Sequence, residues 1–383
     1  MTPKISLLSL VKGIKVTSHT GKTQFKLNVK RVSDGKLKIW YNHNFGGSFQ
    51  PRPFIIPVKL KLDRKTCSAF GLIQAEGVKK SYYSEVQFAN TEFEIVKFVL
   101  DYFEEYFYIP RNIWRCVVSC KRTNDYDRII SYWSKNCNIP AEKVKLVPRP
   151  VERFKSAEYG CATLRLANSA FYSIILAILN FCKNELSEKT LLAYYLSGLL
   201  AGDGTVKLNK YGSIDSIGLA YDYNTDELAV YSSLLDELNI KFSVEISSTM
   251  RIIRMHNWKQ FLTLFTLTGG LPFSACSRKN ELFYRGMLNN RDIKSVRRLN
   301  LFADKSFSVK DFSAAFKIHQ RSSYDLLTRW ASIGYLEYEL KSKRGMQTSH
   351  KFRVSSLGKE LLASLNNIAI LNTSSTSTAF LAT

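Results

Sequence analysis

One short pattern occurs twice in this chain, and it constrains the fold more than any other feature. The first copy is Ala69-Phe70-Gly71-Leu72-Ile73-Gln74-Ala75-Glu76-Gly77; the second is Leu196-Ser197-Gly198-Leu199-Leu200-Ala201-Gly202-Asp203-Gly204. Both read small–x–Gly–Leu–aliphatic–x–small–acid–Gly, with the acids 127 residues apart. A repeat of domain length with one carboxylate per copy points to an internal duplication that builds a two-acid site.

Each copy has the character of the C-terminal half of an apolar helix. Leu191 to Leu196 is apolar nearly all round, which predicts a buried helix. Gly71 and Ala75 are four apart, as are Gly198 and Gly202, so each helix has a face of small residues that another backbone can approach. The natural partner of one such face is the other. Parallel packing would bring Glu76 and Asp203 together at the C-terminal ends, with Gly77 and Gly204 as left-handed caps. A carboxylate there opposes the helix dipole by roughly 0.3–1 kcal/mol, and two adjacent carboxylates repel. A bound divalent cation removes both penalties, and hard oxygen ligands suit Mg²⁺.

At these residues the chain resembles the LAGLIDADG homing endonuclease family in its monomeric, double-motif form, over roughly residues 55–290, about three fifths of its length. The resemblance implies an α+β fold: a duplicated αββαββα unit whose motif helices form the inter-domain interface and whose two saddle-shaped sheets grip duplex DNA. It implies that Glu76 and Asp203 bind the metal, with Gly77 and Gly204 adjoining. Two or three Mg²⁺ ions are shared between the acids, with Mn²⁺ as a substitute. The first acid of the motif is replaced by Gln74 and by Ala201, and Glu76 stands where Asp is usual; only the second acid is catalytic in the family. Family enzymes also place a basic residue near each centre. Lys183 and Lys279 are the candidates, with solvated phosphate-binding lysines as the equal alternative.

The net charge of +23 points to a polyanionic partner. Its distribution is uneven. Residues 1–60 carry one acid, Asp34, against 11 Lys and Arg, and in residues 293–365 Lys and Arg outnumber the acids more than twofold. The flanks therefore supply most of the positive field. The seven cysteines include a CxxxC pair, Cys116 and Cys120, without a zinc-ligand framework, and read as free thiols of a reducing compartment. No run of about 18 apolar residues suggests a membrane span, and nothing resembles a signal peptide or an intein terminus. The expectation is a soluble, free-standing intracellular protein, cytoplasmic in a prokaryote or organellar in a eukaryote, acting as a monomer with internal pseudo-two-fold symmetry.

Along the chain, residues 1–60 form a basic β-rich extension, with strands over Phe25–Val29 and Lys36–Tyr41 joined at Ser33-Asp34-Gly35. This is either a DNA-contacting arm or a β-extension packed on the next domain. Residues 61–185 and 186–292 are the two repeats, the first carrying one inserted helix and strand. In 293–367, a short helix, a turn, the helix Arg321–Ser332 and two strands around a basic loop resemble a winged helix-turn-helix, which docks on DNA or on protein. Residues 368–383 read as a disordered tail.

Sequence reading would fall to outward residues of the sheets: Lys80, Tyr82, Glu85, Gln87, Arg115, Lys121 and Arg122 in the first repeat, and Lys207, Asn209, Lys210, Arg251 and Arg254 in the second. A one-residue slip of register swaps the faces. In the C-terminal region, Arg321, Tyr324 and Arg329 would enter the major groove, while Lys343 and Arg344 meet phosphate. The function expected is a site-specific double-strand DNA endonuclease hydrolysing phosphodiester bonds. The alternatives are a maturase of the same fold acting on intron RNA and a non-catalytic DNA-binding regulator.

Overall fold

The computed structural model describes residues 3–12, 14–17, 24–42, 53–77, 85–122, 125–149, 157–222, 224–246, 251–341 and 349–379. The chain divides into two compact units. One holds Met1–Thr205, Ile217–His256 and Thr263–Asn280; the other holds Val206–Ser216, Asn257–Leu262 and Glu281–Thr383.

In the first unit the basic extension is β-rich. Asn28–Ser33 and Lys36–Trp40 form an antiparallel hairpin turning at Asp34-Gly35, where Gly35 has φ +90°. Phe54–Pro57 adds on the far side, and Lys4–Ser6 pairs with Lys59–Lys61. The strand expected over Phe25–Val29 is broken at Leu27 into Gln24–Lys26 and Asn28–Ser33. Phe54 stacks on Phe171 with ring centroids 5.3 Å apart, so these strands are a packed extension of the unit.

The helix Arg64–Glu76 begins at Asp63, whose side chain accepts from Thr66 N. Its apolar residues join a core containing Phe70, Tyr102, Phe103, Phe107, Trp114 and Phe171. The sheet that follows has the order Val144–Arg149, Arg115–Lys121, Cys161–Leu166, Val86–Asn90. Two of its three pairings are antiparallel; at the edge, Val144–Arg149 runs parallel to Arg115–Lys121. The helix Tyr126–Cys137 makes that crossover, and with Val144–Arg149 it is the inserted helix and strand read from the sequence. Phe93–Phe107 and Ser169–Asn184 supply the remaining long helices.

The second motif helix spans Lys189–Asp203 and leads into a sheet of order Gly204–Leu208, Ile214–Ala220, Arg251–Met255, Phe242–Ile246. Its strands Ile214–Ala220, Arg251–Met255 and Phe242–Ile246 follow the same antiparallel order as Val86–Asn90, Cys161–Leu166 and Arg115–Lys121 in the other sheet.

The second unit is centred on Phe302, Phe307, Phe312, Trp330 and Phe352, which are all buried. The helix Val309–Phe316 starts with a reciprocal capping box between Ser308 and Asp311. Gln320–Ser332 follows, then a sheet of order Phe307–Ser308, Ser349–Val354, Leu336–Lys341. The closing helix runs Ser356–Ala379, through most of the stretch read as a disordered tail. Among the described residues, no helix is long and apolar enough to cross a membrane.

Candidate active site

The small residues of the motif set the separation of the two helices. A Cβ added at Gly71 would lie 2.2 Å from Tyr195 O, and one at Gly198 would lie 2.1 Å from Ser68 O. Near the C-terminal ends, a Cβ at Gly202 would meet Ala75 Cβ at 2.6 Å and Glu76 Cγ at 2.9 Å. Gly71 faces Gly198, and four residues on Ala75 faces Gly202, so the helices run parallel. Ser68 Oγ adds a hydrogen bond to Tyr194 O across the pair.

This packing places the half-buried Glu76 side chain against the residue preceding Asp203. Asn90 Nδ2 donates to Glu76 Oε1 at 2.9 Å, and Asn90 Oδ1 accepts from Glu92 N at the start of the helix Phe93–Phe107. The first sheet and that helix thus hold the carboxylate in place. Cys161, on the sheet, is close enough that its thiol is pushed up to about 11, first by burial and second by the Glu76 charge.

Gly77 and Gly204 are not left-handed caps. Their φ values are −86° and −79°, because each helix passes straight into extended chain: Gly77 bridges Phe88, and Gly204 opens a strand. Glycine is needed for a steric reason. A Cβ would meet Ile73 O at 2.4 Å or Leu200 O at 2.2 Å, the carbonyl four residues back.

Lys279 closes the second helix. Its Nζ donates to Leu200 O at 3.2 Å, Ala201 O at 2.7 Å and Gly202 O at 2.8 Å, satisfying carbonyls that a helix end leaves open. Burial lowers the pKa of the ammonium; Cys276, Glu76 and Asp203 oppose that shift. One cation therefore feels both motif acids and lies on the dipole's negative end. Arg278, one residue earlier, bonds Glu92 Oε1 at 2.8 Å. Lys183 is placed elsewhere. It pairs with Asp226 at 3.1 Å and lines a cavity with Leu192 and Tyr195, from the N-terminal half of the helix that ends at Asp203.

Gln74 is buried and donates to Glu227 Oε1 at 3.3 Å. Glu227 is also buried and accepts from Asp222 N. Burial raises the pKa of Tyr231 most, followed by the charges of Glu227 and Asp203.

No family model matches this sequence, and no curated protein matches it. Solved structures do. The N-terminal LAGLIDADG domain of DUF199/WhiA is 15% identical over 54% of this chain and 82% of that one, with a TM-score of 0.34. Full-length DUF199/WhiA from Thermatoga maritima is 12% identical over 71% of this chain and 92% of that one, at 0.34. I-DmoI, in complex with DNA and Ca, is 10% identical over 54% of this chain and 90% of that one, at 0.30.

The sheet candidates separate by register. Gln87, Arg165 and Arg115 are cross-strand neighbours in one row, and Lys121 lies on the same face six residues along the strand. Arg165 escaped the sequence analysis; it bonds Glu85, which also accepts from Gln87. Arg122 is exposed just beyond the strand. Lys80 and Tyr82 lie outside the described residues. In the second sheet, Arg254 shares a face with Gly218 and Ser243 and pairs with Glu245. Arg251, an odd number of residues away, is on the opposite side of the pleat, so the two arginines cannot both serve one face. Lys207 pairs with Asp215 at 3.0 Å, and Lys210 lies over the ring of Tyr211. Asn209 organises its own turn, accepting from Tyr211 N and Ser213 N. In the second unit Arg321, Tyr324 and Arg329 are exposed on the helix Gln320–Ser332. Lys343 and Arg344 lie outside the described residues.

Proposed function

We propose that this chain is a divalent-metal-dependent endonuclease of duplex DNA, with Glu76 and Asp203 as its acids. We read its two helix–sheet arrangements as copies of one αββαββα unit and residues 293–367 as a winged helix-turn-helix. The observation that supports this most is the contact of Glu76 with Gly202, one residue before Asp203, at the joined C-terminal ends of two helices. Both carboxylates stand at helix ends whose dipoles disfavour them, and close together they would repel each other.

The residues present fit a hard divalent cation. Both acids are half-buried carboxylates, and among the described residues no third His, Cys, Asp or Glu completes a cluster around them. Water and phosphate oxygens would fill the other positions, as Mg²⁺ favours. When bound, such an ion supplies charge stabilisation at phosphorus and an acidified water. The chain's own part is positional. Asn90 holds Glu76, and Lys279 spends its ammonium on three carbonyls, fixing the turn that carries Asp203. Lys279 is thus a positioning residue.

The deciding experiment is a cleavage assay on a duplex library with Mg²⁺. Glu76→Gln and Asp203→Asn should each lower cutting by at least 10²-fold while leaving duplex binding intact. Cutting at the wild-type rate by either variant would sink the assignment. Absence of cleavage by the wild type on every duplex would move the chain to a binding role.

A further inference from the structure

The two sheets differ sharply in charge. Within the four strands of the first, every charged residue is a cation: Arg115, Lys121, Lys145, Arg149 and Arg165. The register puts all five on one face. Arg165 is opposite Arg115 across the antiparallel pair, and Arg149 is beside Lys121 in the parallel pair. Lys145 is beside Val117, on the same side as Arg115 and Lys121. The other face is the core, with Cys116, Val118, Cys120, Ala162 and Leu164 buried. Like charges directly opposite one another destabilise a sheet. Glu85 relieves Arg165; no ion pair is found for Lys121, Lys145 or Arg149 among the described residues. In the second sheet the strands hold Lys207, Arg251 and Arg254 against Asp215 and Glu245. There Lys207 pairs with Asp215 and Arg254 with Glu245.

Two of the five cations stand on Val144–Arg149, the strand added at the edge by the inserted crossover. Lysine and proline on an edge strand also discourage sheet-to-sheet aggregation. That task does not require the charges to share a face with Arg115 and Lys121. Here both do, and both are exposed. An edge strand widens the face by about 4.8 Å, which is more than the rise of one base pair.

We propose that duplex DNA is held asymmetrically: the first sheet carries most of the sheet-borne phosphate contacts, and Lys145 and Arg149 extend them beyond what the second sheet can match. The partner is a duplex whose longer contacted half lies against the first sheet. This rests on the DNA-binding reading above.

The test is the salt dependence of binding to a random-sequence duplex, measured in Ca²⁺ so that nothing is cut. Each lost phosphate contact should lower the slope of log affinity against log salt by roughly 0.9. Lys145→Gln with Arg149→Gln should therefore flatten the slope by about two. Lys207→Gln with Arg254→Gln, whose cations are already paired, should change it by less than one. Circular dichroism confirms that each variant is folded. Hydroxyl-radical footprinting on a bound site should show protection reaching further on one side, and the extra protection should vanish in the Lys145/Arg149 variant. Equal slopes for wild type and that variant, or a symmetric footprint, overturn the asymmetry while DNA binding stands. If the wild type binds no duplex, or prefers an RNA hairpin tenfold, the DNA reading fails and the inference with it.

Discussion

At Gly198 an added Cβ would lie 2.1 Å from Ser68 O and 2.9 Å from Leu72 N, both backbone atoms of the opposing helix. Neither can yield without moving that helix, so Gly198→Ala should cost about 1–3 kcal/mol, the usual range for overpacking. A urea titration would read it as a lower midpoint at unchanged slope. An unchanged midpoint would mean that the helices are further apart than this. Gln74 makes a different point. It replaces an acid of the motif, and its amide donates to the buried Glu227. Gln74→Glu would set two buried carboxylates at hydrogen-bond distance, and one would have to hold a proton. The raised folded pKa of that pair makes the penalty small below the unfolded value near 4.3 and larger as the pH rises from there towards the folded one. The variant should match the wild type near pH 4 and be less stable by about 1–3 kcal/mol at pH 7. Equal stability at both values would contradict the buried pairing. Glu227 is not legible as a partner from sequence, because its contact with Gln74 spans more than 70 residues; Lys279 was named beside a centre, but not for the helix-end carbonyls it binds. The glycines after each acid were legible as glycines but not for their reason, since positive φ and a clash with the carbonyl four residues back select the same residue.

The first motif helix owes its start to Asp63. Its carboxylate accepts from Thr66 N at 3.0 Å and from Tyr106 OH at 2.7 Å, and Lys61 is 3.3 Å away. Burial alone would raise its pKa; those hydrogen bonds and the Lys61 charge outweigh it, so the group is held below 3.8. A lowered folded pKa gives stability that is present above the unfolded value and lost as pH falls through the folded one. Asp63→Ala should therefore cost about 1 kcal/mol at neutral pH. The gap should narrow as the pH falls from the unfolded value through the folded pKa, as paired urea titrations would record. A gap independent of pH would assign the loss to packing instead. Elements of this kind were largely legible. The helix Gln320–Ser332 lies within a residue of the bounds read for it, and Asn28–Ser33 with Lys36–Trp40 makes the hairpin expected at Ser33-Asp34-Gly35. What strand periodicity could not supply was pairing. That Arg165 stands between Gln87 and Arg115 depends on strands 30 residues or more apart in sequence. That Val144–Arg149 runs parallel depends on the crossover made by Tyr126–Cys137. Arg165, Lys145 and Arg149 were missed for that reason, and Arg251 was grouped with Arg254 although the pleat separates them.

On the scale of the whole molecule, a charge of +23 promises strong but salt-sensitive attraction to nucleic acid, and the C-terminal region carries a large share of it. The helix Gln320–Ser332 buries Ser323, Leu327 and Trp330 and exposes Arg321, Tyr324 and Arg329. The same amphipathic helix could face a groove of DNA or a protein, and charge alone favours DNA. The two roles separate in kinetics. Phosphate contacts remote from Glu76 and Asp203 contribute to binding equally in the ground and transition states, so their loss should raise the DNA concentration needed without slowing the cut. Arg321→Glu with Arg329→Glu should weaken duplex binding by about tenfold or more near 0.1 M salt and reduce the salt slope by about two. The cleavage rate at saturating DNA should stay within about twofold of the wild type. Single-turnover cleavage measured across DNA concentration and salt reads both quantities together. Unchanged affinity would place this helix against a protein partner, and a slower cut at saturation would mean that it helps position the scissile phosphate.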